Sequence, residues 1–513
     1  MPDQHDIDRV TGLDGFLANR FNGQSVTDTP SGAASPGFAQ ANPRRPPQWF
    51  AAVRDEARDR WDQLEQDEDL AGPWRLLFEQ VQSPRHVLSE LLQNADDVGA
   101  RRARAAIVDD RFIFEHDGRD FEEEEFRSLC RFAFSNKRKL HTIGFRGVGF
   151  KSTFSLGHAV EVLTPTLAVR FHSARFTEPE WLDDAPPCSC TRVAVQIEDA
   201  DRRRELAKNL REWVESPASL LFFSHLTELT VGEVTLGRTP LGPGPVPRSE
   251  KVRLRGRSDV DVLVIRSDEQ PFPDEAVEEI RRERRVTGED LPACDVELVL
   301  GLPGPNRIYV VLPTATSLAT PFSCNAPFLQ DPARTGIKDL SLSPTNRWLL
   351  ERLGRLAAKA MSEWLGNPEL DLTTRAEAYG LLPERPREHD TTSGAATSAL
   401  CRGFAEAVDE DRLLLGTSGQ LVRPGDCVAP PVPSYGIWCP DELLAIFGDG
   451  AYEVLSELVS RTSRDRLESW GWLRPLDDDD LIERLGDGRP VPSPKSHERL
   501  LALWDFVQEA TGY

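Results

Sequence analysis

Two stretches of this 513-residue sequence carry residues whose types and spacing fit chemistry. In S-E-L-L-Q-N-A-D-D, Glu90, Asn94 and Asp97 stand at i, i+4 and i+7. At about 100° per residue they fall within an arc of roughly 60°, one face of one helix. Val87, Leu88, Leu91, Leu92 and Ala95 occupy the remaining circumference and can pack into a core. An acid, an amide and an acid beside that much apolar surface are costly unless they line a polar cavity. The second stretch, T-I-G-F-R-G-V-G-F-K-S from Thr142 to Ser152, spaces Gly144 and Gly149 as in a Walker A phosphate loop. A Walker loop places its lysine directly after the last glycine, and here Phe150 separates Gly149 from Lys151. The loop is therefore either a damaged Walker loop or another phosphate site built on bare backbone N–H groups. Between the two stretches, F-I-F-E-H-D-G reads as a strand ending at Asp117-Gly118, where glycine permits close approach of a ligand.

These residues need elements to position them. From about Trp49 the pattern is helical in three segments, the last with Ser83 as N-cap and Pro84 at the first helical position. Strand-like runs follow: R-A-A-I-V-D-D, R-F-I-F-E-H, H-A-V-E-V-L-T, L-A-V-R-F-H and T-R-V-A-V-Q-I. Helices with an antiparallel-looking sheet predict an α/β sandwich of the α+β class. The expected organisation is a flexible leader over 1–46, the sandwich over 47–225, a β-rich α/β domain over 226–342 and a mainly helical region over 343–513. The final residues read as an amphipathic helix that stops at Tyr513, so a longer natural chain is one expectation.

Composition narrows the class. At 39% hydrophobic and 28% charged the chain has a globular balance, and no run of about 18 apolar residues predicts a membrane span. The N-terminus lacks the basic and apolar regions of a signal peptide, and the eight cysteines include no C-x-x-C pair. Cys188 and Cys190 are the only close pair, so reduced cytoplasmic thiols are expected rather than zinc ligands or disulfides. A net charge of −23 repels a polyphosphate backbone, and the basic runs N-K-R-K (Asn136–Lys139) and D-R-R-R-E are too short to reverse that. Scarce lysine beside plentiful arginine, alanine and aspartate matches a GC-rich bacterial genome.

The order of motifs resembles the GHKL ATPases, whose fold is the Bergerat fold, a mixed, mostly antiparallel sheet with helices on one face. It is most similar to the sacsin and NO VEIN type of ATP-binding domain. The matching stretches are E-L-L-Q-N-A-D-D (Glu90–Asp97), H-D-G-R-D-F (His116–Phe121), S-N-K-R-K-L-H-T-I-G-F-R-G-V-G-F-K-S-T-F (Ser135–Phe154) and C-T-R-V-A-V-Q-I (Cys190–Ile197). On that resemblance Phe150 is no defect, and the loop is a lid over phosphate rather than a Walker loop. Two departures stand out: Asp120-Phe121 replace the second glycine of D-x-G-x-G, as also in the sacsin type, and Phe145-Arg146 are unusual in the lid.

The resemblance implies ATP and Mg²⁺ as cofactors and assigns roles. Glu90 matches the general base for the attacking water, and Asn94 the Mg²⁺ ligand. Asp117 matches the acceptor for the adenine amine, with Gly118 beside it, and Asp97 a further acid on the nucleotide side. Gly144, Gly147 and Gly149 match the lid glycines, with Val148 and Phe150 as further nucleotide contacts in the same loop. Lys151 would add a point charge near the phosphates, and Thr191 would help hold adenine. Beyond the sandwich, V-V-L-P-T through N-R-W-L-L-E-R-L resembles the segment that follows the sacsin-type domain, and Arg334 is the candidate to reach the γ-phosphate. The implied activity is slow ATP hydrolysis coupled to chaperone-like or gating change on a protein client or partner subunit, with bacterial defence as one setting and a nucleotide-dependent homodimer as one form. The alternative is an ATP-gated nucleic-acid clamp of the mismatch-repair or MORC kind, which the net charge disfavours for the chain by itself.

Overall fold

The computed structural model describes residues 45–66, 72, 78, 84–131, 149–284, 291–331, 335–386, 391–448, 450–488 and 490–511. Most of the expected leader, Ser83, the N-K-R-K run, Gly144, Gly147, Val148 and Arg334 lie outside them. The structure is a mixture of helices and strands that pair mostly antiparallel, an α+β architecture. It divides into two compact units, one reaching to Thr239 and including Leu254–Asp259, the other made of Pro240–Arg253 and the residues from Val260 onward. No described helix is long and apolar enough to cross a membrane.

The first unit holds helices α1 (Phe50–Gln66), α2 (Pro84–Asp97), α3 (Glu123–Leu129) and α4 (Ala200–Glu215). Its strands are β1 (Arg102–Val108), β2 (Arg111–His116), β3 (Ala159–Leu163), β4 (Ala168–His172), β5 (Arg175–Trp181), β6 (Thr191–Gln196), β7 (Glu228–Val231) and the start of β8 (Val234–Pro243). They are ordered β8-β7-β1-β2-β6-β3-β4-β5. Strands β1 and β2 form a hairpin in which Val108 faces Arg111. Its two turn residues, Asp109 and Asp110, have φ of +48° and +61°. Positive φ at both central residues is the geometry whose twist matches the flanking strands, and aspartate tolerates it better than most residues. Alternation along β1 buries Ala103, Ala105 and Ile107.

Helix α2 buries Val87, Leu88, Leu91, Leu92 and Ala95, the apolar set read from the sequence. It ends because Gly99 adopts φ +75°. The Gly99 N–H then donates to Asp96 O at 2.9 Å and the Ala100 N–H to Ala95 O at 2.9 Å, so the last carbonyls are satisfied and the chain turns at once into β1. Asp96 adds a long-range tie, its carboxylate accepting from the main-chain N–H groups of Ser224, His225 and Leu226 at 2.9, 2.7 and 2.8 Å. Helix α1 lies on β5, where Trp61 Nε1 donates to Thr177 Oγ1 at 2.7 Å.

The second unit carries β9 (Ser249–Arg255) as far as Arg253, β10 (Val260–Arg266), α5 (Asp274–Arg284), β11 (Glu297–Leu300), β12 (Arg307–Val310), β13 (Leu312–Ser317) and β14 (Ser323–Asn325). Helices α6 (Pro344–Gly366), α7 (Leu372–Ala376), α8 (Thr392–Ala407), α9 (Pro440–Phe447), α10 (Arg461–Ser469), α11 (Asp478–Gly486) and α12 (His497–Thr511) follow. Helices α6 and α8 meet backbone to backbone. A Cβ on Gly354 would lie 1.9 Å from Leu400 O, and one on Gly403 would lie 1.9 Å from Glu351 O, so only glycine fits at either point.

Candidate functional site

Glu90, Asn94 and Asp97 lie on α2, each half-buried, on the side of the helix its leucines leave. The helix packs against the short 3₁₀ turn Gly149–Ser155 that follows the glycine loop, and against α4. The helix end also meets the end of β2, where the Arg119 N–H donates to Val98 O at 3.2 Å and the Asp117 N–H to Arg102 O at 3.2 Å. Antiparallel pairing of β2 with β6 sets His116 opposite Thr191. The end of β2 that carries Asp117 thus adjoins the segment that leaves α2 and, across the register, the start of β6 at Thr191.

Asp117 is held firmly. Its Oδ1 accepts from the main-chain N–H groups of Arg101 and Arg102 at 2.8 and 2.9 Å, and its Oδ2 from Arg102 Nε at 3.1 Å. Burial works against ionisation, but these bonds, led by those from Arg102, outweigh it and hold the carboxyl below its ordinary value. A carboxylate offers about four lone-pair sites, so Oδ2 can accept one more bond. Thr191 is buried, and among the described residues its Oγ1 has no hydrogen-bond partner. A buried hydroxyl without a partner in the protein is a point at which a water or a ligand atom fits.

The neighbours fix this geometry. Glu115, buried on β2, pairs across the strands with Arg192, whose Nε and Nη2 lie 2.7 and 2.6 Å from Oε1. His116 is also buried, and burial draws its pKa down to about 4, so the ring is neutral near pH 7. Its Nδ1 accepts from the Gly118 N–H at 3.2 Å, which leaves the ring proton on Nε2. Gly118 itself is required by packing within the chain. A Cβ there would meet Val98 Cγ2 at 2.7 Å and His116 Nδ1 at 3.0 Å, which accounts for this glycine without a ligand. Asp120, which follows where the related motif has x-Gly, accepts from the Thr166 hydroxyl at 2.8 Å and N–H at 3.0 Å and so anchors the loop to the β3–β4 turn.

Lys151 departs from its expected place. It is buried, and its ammonium donates to Leu129 O at 2.8 Å and Phe176 O at 2.9 Å. The rings of Phe150 and Phe171 flank it at 5.1 and 5.2 Å. Burial lowers its pKa to about 7, a shift that the weakly interacting Cys130 thiol only slightly offsets. The amine is therefore committed inside the fold, where it ties the 3₁₀ turn to the end of α3 and to β5, and the expected phosphate contact is withdrawn. Phe150 is likewise buried, its ring 5.7 Å from that of Phe171. Gly149 opens the 3₁₀ turn, whereas Gly144, Gly147, Val148 and Arg334 lie outside the described residues.

Could these residues hold Mg²⁺ and a nucleotide? Among the described residues no group of three or more His, Cys, Asp and Glu is placed to chelate a metal. A hard cation here would draw on the Asn94 amide oxygen and on oxygens the nucleotide brings, a donor set suited to Mg²⁺. The buried Thr191 hydroxyl and the remaining lone pair of Asp117 fit a heterocycle that both donates and accepts. No protein-family model matches the chain, and no curated protein matches it significantly.

Proposed function

We propose that the first unit binds ATP with Mg²⁺ and hydrolyses it, as the GHKL class that its motifs resemble would do through a Bergerat fold. The observation that carries this reading is the meeting of α2, Asp117 and the buried Thr191 hydroxyl at one end of the sheet. Bound Mg·ATP supplies the phosphoanhydride to be cleaved and a cation that offsets charge on its phosphates. The chain's part is positional and acid–base. Asp117 accepts a hydrogen bond from the adenine amine through Oδ2, and its carboxylate is pre-oriented by Arg101 and Arg102, so little freedom is lost on binding. Thr191 gains a partner for its hydroxyl, directly or through water. Asn94 offers its amide oxygen to the cation, and Glu90, one turn earlier on the same face, orients a water and takes its proton at a carboxylate oxygen. Coupling of turnover to chaperone-like or gating change on a protein partner rests on the resemblance of the motifs.

The test is a calorimetric titration of the full chain with ATP and with GTP, each with and without Mg²⁺. ATP should bind more tightly than GTP, and Asp117→Asn should weaken ATP binding by roughly ten- to a hundredfold, as expected when a charge-assisted hydrogen bond is mismatched. Equal affinity for the two nucleotides, unaltered by Asp117→Asn, would remove adenine recognition from this carboxylate.

A further inference from the structure

We infer that Cys188 and Cys190 are a reversible dithiol–disulfide site whose closure shifts the backbone that presents Thr191. The nucleotide consequence rests on the functional reading above; the redox chemistry does not. Sequence spacing alone gives i and i+2 thiols no reason to meet, because an extended chain sends them to the same side about 7 Å apart. Here the chain bends at Ser189 and Cys190, immediately before β6, and the two sulfurs lie 3.8 Å apart. Both side chains are half-buried, so small oxidants can reach them, whereas Cys130, Cys294, Cys324 and Cys401 are buried. A disulfide needs a separation of about 2.05 Å, a further approach that χ1 rotations within the bend can supply.

The surroundings favour one thiol as nucleophile. The hydrogen bond available from the Cys190 thiol, then the Cys190 main chain and the Arg192 guanidinium, draw the Cys188 thiol down, while Cys190 is pushed up. Burial works the other way, and in its thiol form Cys188 donates to the Cys190 carbonyl, 3.0 Å from its sulfur. With a low-molecular-weight disulfide such as glutathione disulfide as oxidant, the Cys188 thiolate attacks one of its sulfurs and a glutathione thiolate leaves. Cys190 then loses its proton to solvent and attacks the Cys188 sulfur, forming the intramolecular S–S bond and expelling the second glutathione thiolate. Two electrons pass from the protein dithiol to glutathione disulfide, and a dithiol reductant reverses the sequence. Closure ties residue 188 to residue 190 next to Thr191, and it removes the sulfur charge that faces Arg192.

The experiment equilibrates the full chain at graded ratios of reduced to oxidised glutathione, quenches with acid, alkylates and digests with trypsin. No Lys or Arg interrupts Phe176–Arg192, so one peptide holds both cysteines. At oxidising ratios this peptide should escape alkylation, weigh two hydrogens less than the dithiol form and regain alkylation after dithiothreitol. Alkylation of both cysteines at every ratio, or glutathione retained on one of them, would overturn the disulfide. In parallel, a fluorescent ATP analogue is titrated into reduced and oxidised protein. Oxidation should weaken binding roughly two- to tenfold, the effect of disturbing one hydrogen bond, and C188S/C190S should abolish the redox dependence. Identical binding in both redox states would overturn the link to Thr191. Reduced protein that binds no nucleotide would instead count against the functional reading, while the peptide mass still decides the thiol site.

Discussion

Replacing Lys151 by Met isolates the contribution of a single buried charge. The side chain is almost fully enclosed, donates to two main-chain carbonyls and is lowered to about pH 7 by burial. An unfolded lysine titrates near 10.4. Below pH 7 the folded and unfolded chains both carry the proton, and the fold bears the full desolvation cost. Above pH 7 the folded chain releases the proton while the unfolded chain keeps it, so unfolding takes up a proton and stability rises with pH. The slope approaches about 1.4 kcal/mol per pH unit, which integrates to roughly 2 kcal/mol between pH 7 and 9. Cys130, the titratable neighbour of Lys151, is pushed up to about 12 by burial and stays neutral across that window. Urea unfolding of the wild type and of Lys151→Met, followed by tryptophan fluorescence at pH 6, 7, 8 and 9, should show the difference between the two moving in favour of the wild type as pH rises. A difference that stays flat from pH 6 to 9 would mean an ordinary ammonium in contact with water, and would return Lys151 to the pool of charges available to phosphate.

Three further outcomes follow from contacts elsewhere. Thr191→Val should leave the empty protein as stable or slightly more stable, because it removes a buried hydroxyl that has no partner among the described residues, yet it should weaken ATP binding about two- to tenfold; thermal melts beside a nucleotide titration separate the two effects. Asp96→Ala deletes the acceptor for three main-chain N–H groups at Ser224–Leu226 and should cost roughly 2–4 kcal/mol, read by urea unfolding, with faster hydrogen exchange at those amides. Gly403→Ala sets a methyl group 1.9 Å from Glu351 O and should destabilise the α6–α8 pair by roughly 2–4 kcal/mol, whereas Gly425→Ala, in open space, should not.

The reach of the sequence can be judged residue by residue. The apolar spacing of α2 is a local periodicity, and Val87, Leu88, Leu91, Leu92 and Ala95, which it names, are buried, although Gln93, which it does not name, is buried with them. That Asp117 and Thr191 lie at the same end of the sheet depends on a register between strands some 75 residues apart, in which His116 faces Thr191; no local pattern encodes it, and the expectation came from the order of motifs. Asp96 and Asp97 are adjacent and chemically identical, so nothing local could show that Asp96 is the one tied to Ser224–Leu226. Lys151 carries the same letter whether it faces solvent or a core, and what turns it inward is the pair of carbonyls supplied by Leu129 and Phe176, from two other elements. The bend that brings the Cys188 and Cys190 sulfurs together is likewise a backbone event that a spacing of two does not announce.

The central claim, that Glu90 activates water for ATP cleavage at this site, is tested most directly by Glu90→Ala in the full chain, with Mg·ATP affinity measured by calorimetry and hydrolysis by single-turnover release of phosphate. With Glu90 as the base, affinity should stay near-unchanged while hydrolysis slows by roughly 10²–10⁴-fold, the range that general-base catalysis supplies. Hydrolysis at the wild-type rate in Glu90→Ala would contradict it.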